Sequence, residues 1–253
     1  MNSISKIIIT VVSLITVAAI IGGLYLHVFR GNPIKIGGSS KIKTDEVKPD
    51  GTLTDLEINL DAVNLTVSPG KELCISYSVP ENMVPNVDLQ NGRLRVKSPD
   101  NIMIAPFNMG GNYYVNITIP QNAGLNSTSI DLDAGNLDLT GISGDQMKID
   151  LDAGNLTMKD SITTGLSIDL DAGNLELTGC EIQRFQADTD AGNIDLNGCD
   201  IEWIKAKTDA GNIQARDSRI ADGSCETDMG NINLSGDIGN VSTHADLGKV
   251  KVD

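Results

Sequence analysis

The sequence predicts an all-β fold, a single-stranded parallel β-helix with nineteen-residue coils, preceded by one N-terminal transmembrane helix. Three observations carry this reading. The segment Ile130-Asp-Leu-Asp-Ala-Gly-Asn-Leu-Asp-Leu-Thr-Gly141 recurs from Ile149 and from Ile168, and weaker copies begin at Ala187, Ala206 and Cys225. Each copy alternates apolar and polar residues, the period-two signature of a half-buried strand. Finally, the 23 residues from Ile7 to Phe29 include no charged side chain, enough to cross a bilayer core of ~30 Å as a helix.

The N-terminal element is an anchor rather than a leader. A cleaved signal peptide has a shorter apolar core, ~7–15 residues, and a small-x-small cleavage site. Leu24-Tyr25-Leu26-His27 after Gly22-Gly23 does not supply one, and no Cys follows the run to take a lipid. Residues 1–29 therefore read as a cytoplasmic tip and membrane span. Residues 30–49, rich in Gly, Ser, Lys, Asp and Pro, read as a flexible stalk.

Charge is unevenly spread. Residues 1–43 hold five basic side chains and no acid, which leaves 14 basic and 34 acidic groups for the remainder. A body that acidic excludes DNA or RNA as a partner, because phosphates need Lys and Arg. Arg30, Lys35, Lys41 and Lys43 after the span outnumber Lys6 before it, which by the positive-inside rule favours a cytoplasmic body. Large domains, however, translocate largely regardless of flanking charge.

The body, residues 50–253, reads as one solenoid domain. Asp133, Asp152, Asp171, Asp190, Asp209 and Asp228 are spaced by nineteen, and Asp246 comes eighteen further on. In the copy from Ile168, Ile168, Leu170, Leu175 and Leu177 face one side, with a bend at Gly173-Asn174. Further columns share the spacing: Met147, Leu166, Phe185, Ile204, Gly223 and Val241, and Ile182, Ile201, Ile220 and Ile238. In-register columns mean stacked coils that close a narrow core together, which one coil cannot do alone. An aromatic content of only 3% suits such a core. A propeller would need blades of ~40 residues. Right-handed winding is the expectation for parallel crossovers. The regular coils cover 129–253. Residues 50–128 read as irregular N-terminal coils with an inserted hairpin, turned at Asn91-Gly92, that covers the end.

The candidate site residues are the two polar columns. The Asp column (Asp133, Asp152, Asp171, Asp190, Asp209, Asp228, Asp246) reads as Asx-type turns, each carboxylate accepting the N–H of the following Gly. A calcium ladder is the sharper alternative, disfavoured because the Gly-Gly-x-Gly-x-Asp pattern is missing. The Asn column (Asn136, Asn155, Asn174, Asn193, Asn212, Asn231) reads as an amide ladder along the bend. Cys180 and Cys199 occupy equivalent places on neighbouring coils, so a disulfide and a pair of stacked thiols both fit, with the thiols favoured. Cys74 and Cys225 read as core. Arg184 and Trp203 share a column one coil apart; if it faces outward they could stack as cation and ring or contribute to a carbohydrate patch, while a packed surface Trp is the favoured reading. His244, the one histidine of the body, lies in the degraded last coil and supports no catalytic triad.

The order of a leading strand region, Ile119-Pro120 and repeated Asp-Ala-Gly-Asn turns resembles the DUF4097 "putative adhesin" family over residues 50–253. The resemblance implies a β-helix-like fold and a cell-envelope location in a Gram-positive-type bacterium, and it brings no catalytic residues. The expected function is a non-catalytic, membrane-anchored surface module, its solenoid outside the membrane, engaging a protein or glycan without cofactor or metal. An accessory role in envelope-stress signalling is the alternative. A polysaccharide-acting β-helix enzyme comes third: tight coils leave little wall for a cleft, and carboxylate pairs such as Asp169 with Asp188 are too abundant to be specific.

Overall fold

Alternating strands joined by bends of fixed length force successive repeats into register. The computed structural model describes residues 41–99, 112–121 and 123–253, all within one compact unit. The anchor expected at 1–29 lies outside the described residues, and no helix among those described is long and apolar enough to cross a membrane.

The chain opens with β1 (Ile42–Val47), β2 (Asp55–Ala62) and β3 (Asn64–Gly70). It turns back through β4 (Cys74–Pro80), forms a hairpin of β5 (Asn86–Gln90) and β6 (Arg93–Lys97), and returns through β7 (Tyr114–Pro120). Long and short strands then alternate as β8 (Leu125–Ala134) and β9 (Leu137–Thr140), β10 (Ser143–Ala153) and β11 (Leu156–Lys159), β12 (Ile162–Ala172) and β13 (Leu175–Thr178), and β14 (Glu181–Ala191) and β15 (Ile194–Asn197). The stack ends with β16 (Asp200–Ala210), β17 (Ile213–Met229), β18 (Ile232–Leu247) and β19 (Val250–Val252). In one regular coil the eleven residues of β12, the Gly173-Asn174 bend, the four residues of β13 and the Gly179-Cys180 corner account for the nineteen.

Pairing between coils is parallel and unshifted from β8 to β16. Leu132, Leu151, Leu170 and Thr189 stack, as do Leu137, Leu156, Leu175 and Ile194. Inward positions are buried throughout: in one coil Leu166, Ile168, Leu170, Leu175, Leu177, Cys180 and Ile182 are all at most 2% exposed. Each Leu or Ile so buried contributes ~1.5–3 kcal/mol relative to exposure. Volume is traded between columns of neighbouring coils. Phe185 stands over Leu166, while Ala187 and Thr189 stand over Ile168 and Leu170, so one large ring is offset by two small side chains. Cys225 is buried in this core, as expected; Cys74 is only half-buried on β4.

The N-terminal end departs from sequence order. β2 pairs in parallel with both β6 and β8, and β3 with both β7 and β9, so the first coil in the chain is the second in the stack. β5 pairs antiparallel to β6 across Asn91-Gly92, whose φ values of 51° and 82° make the tight hairpin turn. β4 pairs antiparallel to β7, and β1 to β4. The stalk expected over 30–49 is thereby corrected for 42–47: these residues are β1, with Asp45 opposite Tyr77. Their polar composition reads as a linker, but it equally suits an edge strand that is exposed along most of its length. Lys48 just beyond β1 bonds Glu72 at 2.5 Å and Glu46 at 3.1 Å, which ties the segment down.

The C-terminal end is open among the described residues. Ile238, Val241 and Ala245 are half-buried, and Leu247, Val250 and Val252 are 69, 44 and 48% exposed. Met229 and Leu247 stand paired in the column that alanines fill in earlier coils.

Candidate functional surface

The bend is built by glycine and asparagine for separate reasons. Gly173 must be glycine because a Cβ there would lie 1.6 Å from the Gly154 carbonyl oxygen of the coil beneath. The asparagine after it closes a ladder. Both the backbone N–H and the side-chain N–H of Asn155 donate to Oδ1 of Asn136, and Asn174, Asn193, Asn212 and Asn231 repeat the pattern at 2.9–3.2 Å. The column runs two rungs further than the repeat count suggests. Asn136 N–H donates to Asn64 Oδ1 at 3.0 Å, and Asn64 Nδ2 donates to Asn112 Oδ1 at 3.2 Å. The motif copy at Leu56–Val67 holds the signal for Asn64, and Gly111-Asn112 ahead of the strand-like run Tyr113–Pro120 repeats the Gly-Asn pair of the regular bends.

The Asp column lies on the outer wall two residues before each bend, but it does not cap the turn. The N–H groups of Gly135, Gly154, Gly173 and Gly192 donate to the carbonyls of Ala153, Ala172, Ala191 and Ala210 in the next coil, at 2.9 to 3.1 Å. The Asx reading is therefore corrected: the inter-coil ladder takes the donor that a local turn would use. Beside these carboxylates stands a second outward column, Asp131, Asp150, Asp169 and Asp188. Burial, and then mutual repulsion with neighbouring carboxylates, pushes Asp133, Asp152, Asp169 and Asp171 above the ordinary carboxylate range. Relief comes at the ends of the wall, first where Asn59 Nδ2 donates to Asp131 Oδ2 at 2.7 Å. Lys207 continues the second column and binds Asp209 at 2.6 Å, and His244 Nε2 lies 2.7 Å from Asp246 Oδ1. Asp190 and Asp228 are exposed on the same wall. Among the described residues no three His, Cys, Asp or Glu side chains are grouped to hold a metal ion.

The adjoining face carries a shallow groove of about 500 Å³ crossing several coils, with Asp145, Ile162, Glu181, Asp200, Glu202 and Arg219 along it. Arg219 is already engaged by Asp200 at 2.6 Å. Arg184 and Trp203 stack, the guanidinium carbon 5.2 Å from the ring centroid. Cys180 and Cys199 are free thiols, 0 and 2% exposed.

Fold and surface together define a parallel β-solenoid that displays ladders of carboxylates and amides on its outer wall. The chain belongs to the family described as Toastrack DUF4097, whose model matches residues 53–247. Among solved structures, it is similar to a "putative lipid binding protein" from Parabacteroides distasonis, with 17% identity, 85% of this chain and 98% of that chain covered, and a TM-score of 0.50. A "putative adhesin" from the same species matches with 13% identity, the same coverages and a TM-score of 0.50. One from Parabacteroides merdae matches with 15% identity, again 85% and 98% coverage, and a TM-score of 0.46. At these identities the likeness is one of fold. No curated protein matches the chain.

Proposed function

We propose that this chain is a non-catalytic, membrane-anchored module of the bacterial cell envelope whose solenoid wall engages a protein or glycan outside the membrane. The observation that carries the reading is the geometry of the wall. Side chains in an in-register ladder point the same way at ~4.8 Å intervals, so they present a periodic surface instead of converging on one reacting atom. The polar columns from Asp131 to Asp188 and from Asn136 to Asn231 are of that kind. The uncharged run Ile7–Phe29 supports the anchor, and the short tip with Lys6 supports a cytoplasmic N-terminus.

Protease added to intact protoplasts tests the arrangement. Digestion of residues 44–253 is expected; their protection until lysis overturns the external placement. Photo-crosslinking from Asp171 and Asn174 positions in native cells then reads out the partner, and a wall that crosslinks to nothing counts against recognition through it.

A further inference from the structure

The corner before each long strand carries a column of its own: Ile142, Ser161, Cys180, Cys199, Ser218 and Gly236. The serines define what this position does. Ser161 donates to the Lys159 carbonyl at 2.8 Å and accepts the Ile142 N–H at 3.1 Å; Ser218 donates to the Arg216 carbonyl at 2.9 Å and accepts the Cys199 N–H at 3.1 Å. The thiols repeat the first bond in weaker form, to the carbonyls of Thr178 and Asn197, each at 3.6 Å. As corner caps, then, the cysteines do nothing that serine does not do better. What sets them apart is adjacency. The column repeats one contact, to the carbonyl 22 residues back: Cys180 with Met158, Cys199 with Leu177 and Ser218 with Leu196; only at Cys180 and Cys199 are two neighbouring members both thiols, set against the consecutive carbonyls of Thr178 and Leu177.

We propose that Cys180 and Cys199 form a site of covalent modification, a disulfide stapling two neighbouring coils when the chain folds in an oxidising compartment. Equivalent residues on parallel coils stand ~4.8 Å apart, inside the 4.4–6.8 Å span of Cα atoms that a disulfide bridges. The residues flanking them are paired in register, Thr178 with Asn197 and Glu181 with Asp200. Both thiols are shut off from solvent in the finished fold, so exchange takes place before the coils close over them. The oxidant is a small-molecule disulfide. A thiolate of one cysteine attacks it, forming a mixed disulfide and releasing one thiolate. The second cysteine's thiolate then attacks the protein sulfur of that mixed disulfide and expels the other half. Two electrons pass from the cysteine pair to the oxidant, and the two cysteine protons end on the two released thiols.

The full-length chain in detergent micelles is unfolded under reductant, then refolded with glutathione disulfide or with reduced glutathione alone. Oxidative refolding is expected to remove about two mass units from the protein. Trypsin cleaves at Arg184 and so separates Cys180 from Cys199; a linked pair of peptides, 160–184 with 185–205, is the expected product. The closed loop should raise the melting temperature by roughly 5–10 °C over the reduced form. That rise should vanish in Cys180→Ser, which keeps the corner bonding that Ser161 shows. Free thiols at both positions after oxidative refolding, a persistent glutathione adduct, or linkage through Cys74 or Cys225 overturns the assignment. So does a bridged form that melts below the reduced one.

Discussion

Lys249 donates its backbone N–H to Asn231 Oδ1 at 3.1 Å, and with that bond the amide ladder of the bend reaches its last rung. An interior rung does more. Asn174 Oδ1 accepts two bonds from Asn193 while its own Nδ2 donates to Asn155. Asn174→Ala removes three side-chain bonds and should cost about 2 kcal/mol, while Asn231→Ala removes two, to Asn212 and from Lys249, and should cost about two-thirds of that, since each exposed bond is worth ~0.5–1 kcal/mol. Chemical denaturation of the two variants checks both costs; losses near zero in both would mean the ladder is decorative.

The carboxylate wall makes stability depend on pH in an unusual direction. A carboxylate whose pKa is raised by folding is penalised when ionised, so the penalty is full at neutral pH and is relieved as pH falls from the raised value towards the ordinary 3.8. Asp133, Asp152, Asp169 and Asp171 all lie in this class. Glu57 works oppositely: bonded by Lys97 and Arg95, it is held below its ordinary 4.5 and loses its contribution only as pH falls beneath that value. The melting temperature should therefore rise as pH falls from neutral into the upper part of the carboxylate range, before Glu57 begins to protonate. Asp152→Asn with Asp169→Asn and Asp171→Asn should raise it at neutral pH and flatten the slope. Scanning calorimetry with chelator and with millimolar calcium completes the test. A calcium-dependent rise in the parent, lost in the triple variant, would mean that cations relieve the wall.

Two glycines set conformational demand alone against conformational and steric demand together. Gly198 has φ 60° with nothing within 4 Å of a Cβ, so Gly198→Ala should cost only the left-handed strain, ~1 kcal/mol. Gly173→Ala drives a Cβ into the Gly154 carbonyl and must push the coils apart, at well over ~3 kcal/mol. Denaturant midpoints of the two variants should differ several-fold in their shift.

Lys249, in the bend between β18 and β19, and Lys251, on β19, stand beside exposed Leu247, Val250 and Val252. Charges on an unpaired edge discourage pairing with a second edge. Lys249→Asn with Lys251→Thr should promote end-to-end association, seen as concentration-dependent sedimentation. A variant that stays monomeric across a wide range would remove the edge-blunting role.

The regular half of the fold is legible because its pairing partner is always the next copy: Ile149, Ile168 and Ala187 share a column in sequence and in space. The front half is not. No repetition says that β2 will lie between β6 and β8, and β1 has the composition of a linker. Val63 shows how the two halves meet. It stands where other copies have Gly, and its carbonyl occupies the place beneath Gly135 that the Gly154 carbonyl occupies beneath Gly173. The Asp column departs from the turn reading for a related reason. Turn rules describe a chain closing on itself, whereas here each Gly N–H belongs to the coil above.

The interposed first coil also sets an order of events. In the regular run every new coil docks on one just nineteen residues away, so growth can start at any step and proceed by short loop closures. β2 must wait for partners 38 and 72 residues downstream, exemplified by Glu57 with Arg95 and Asn59 with Asp131. Those closures are long-range and correspondingly slow. Refolding should show a rapid phase reporting Trp203, in the regular run, and a later one reporting Tyr77 in the antiparallel end. A chain emerging from its N-terminus thus carries its first strands unpaired until synthesis has passed well beyond them.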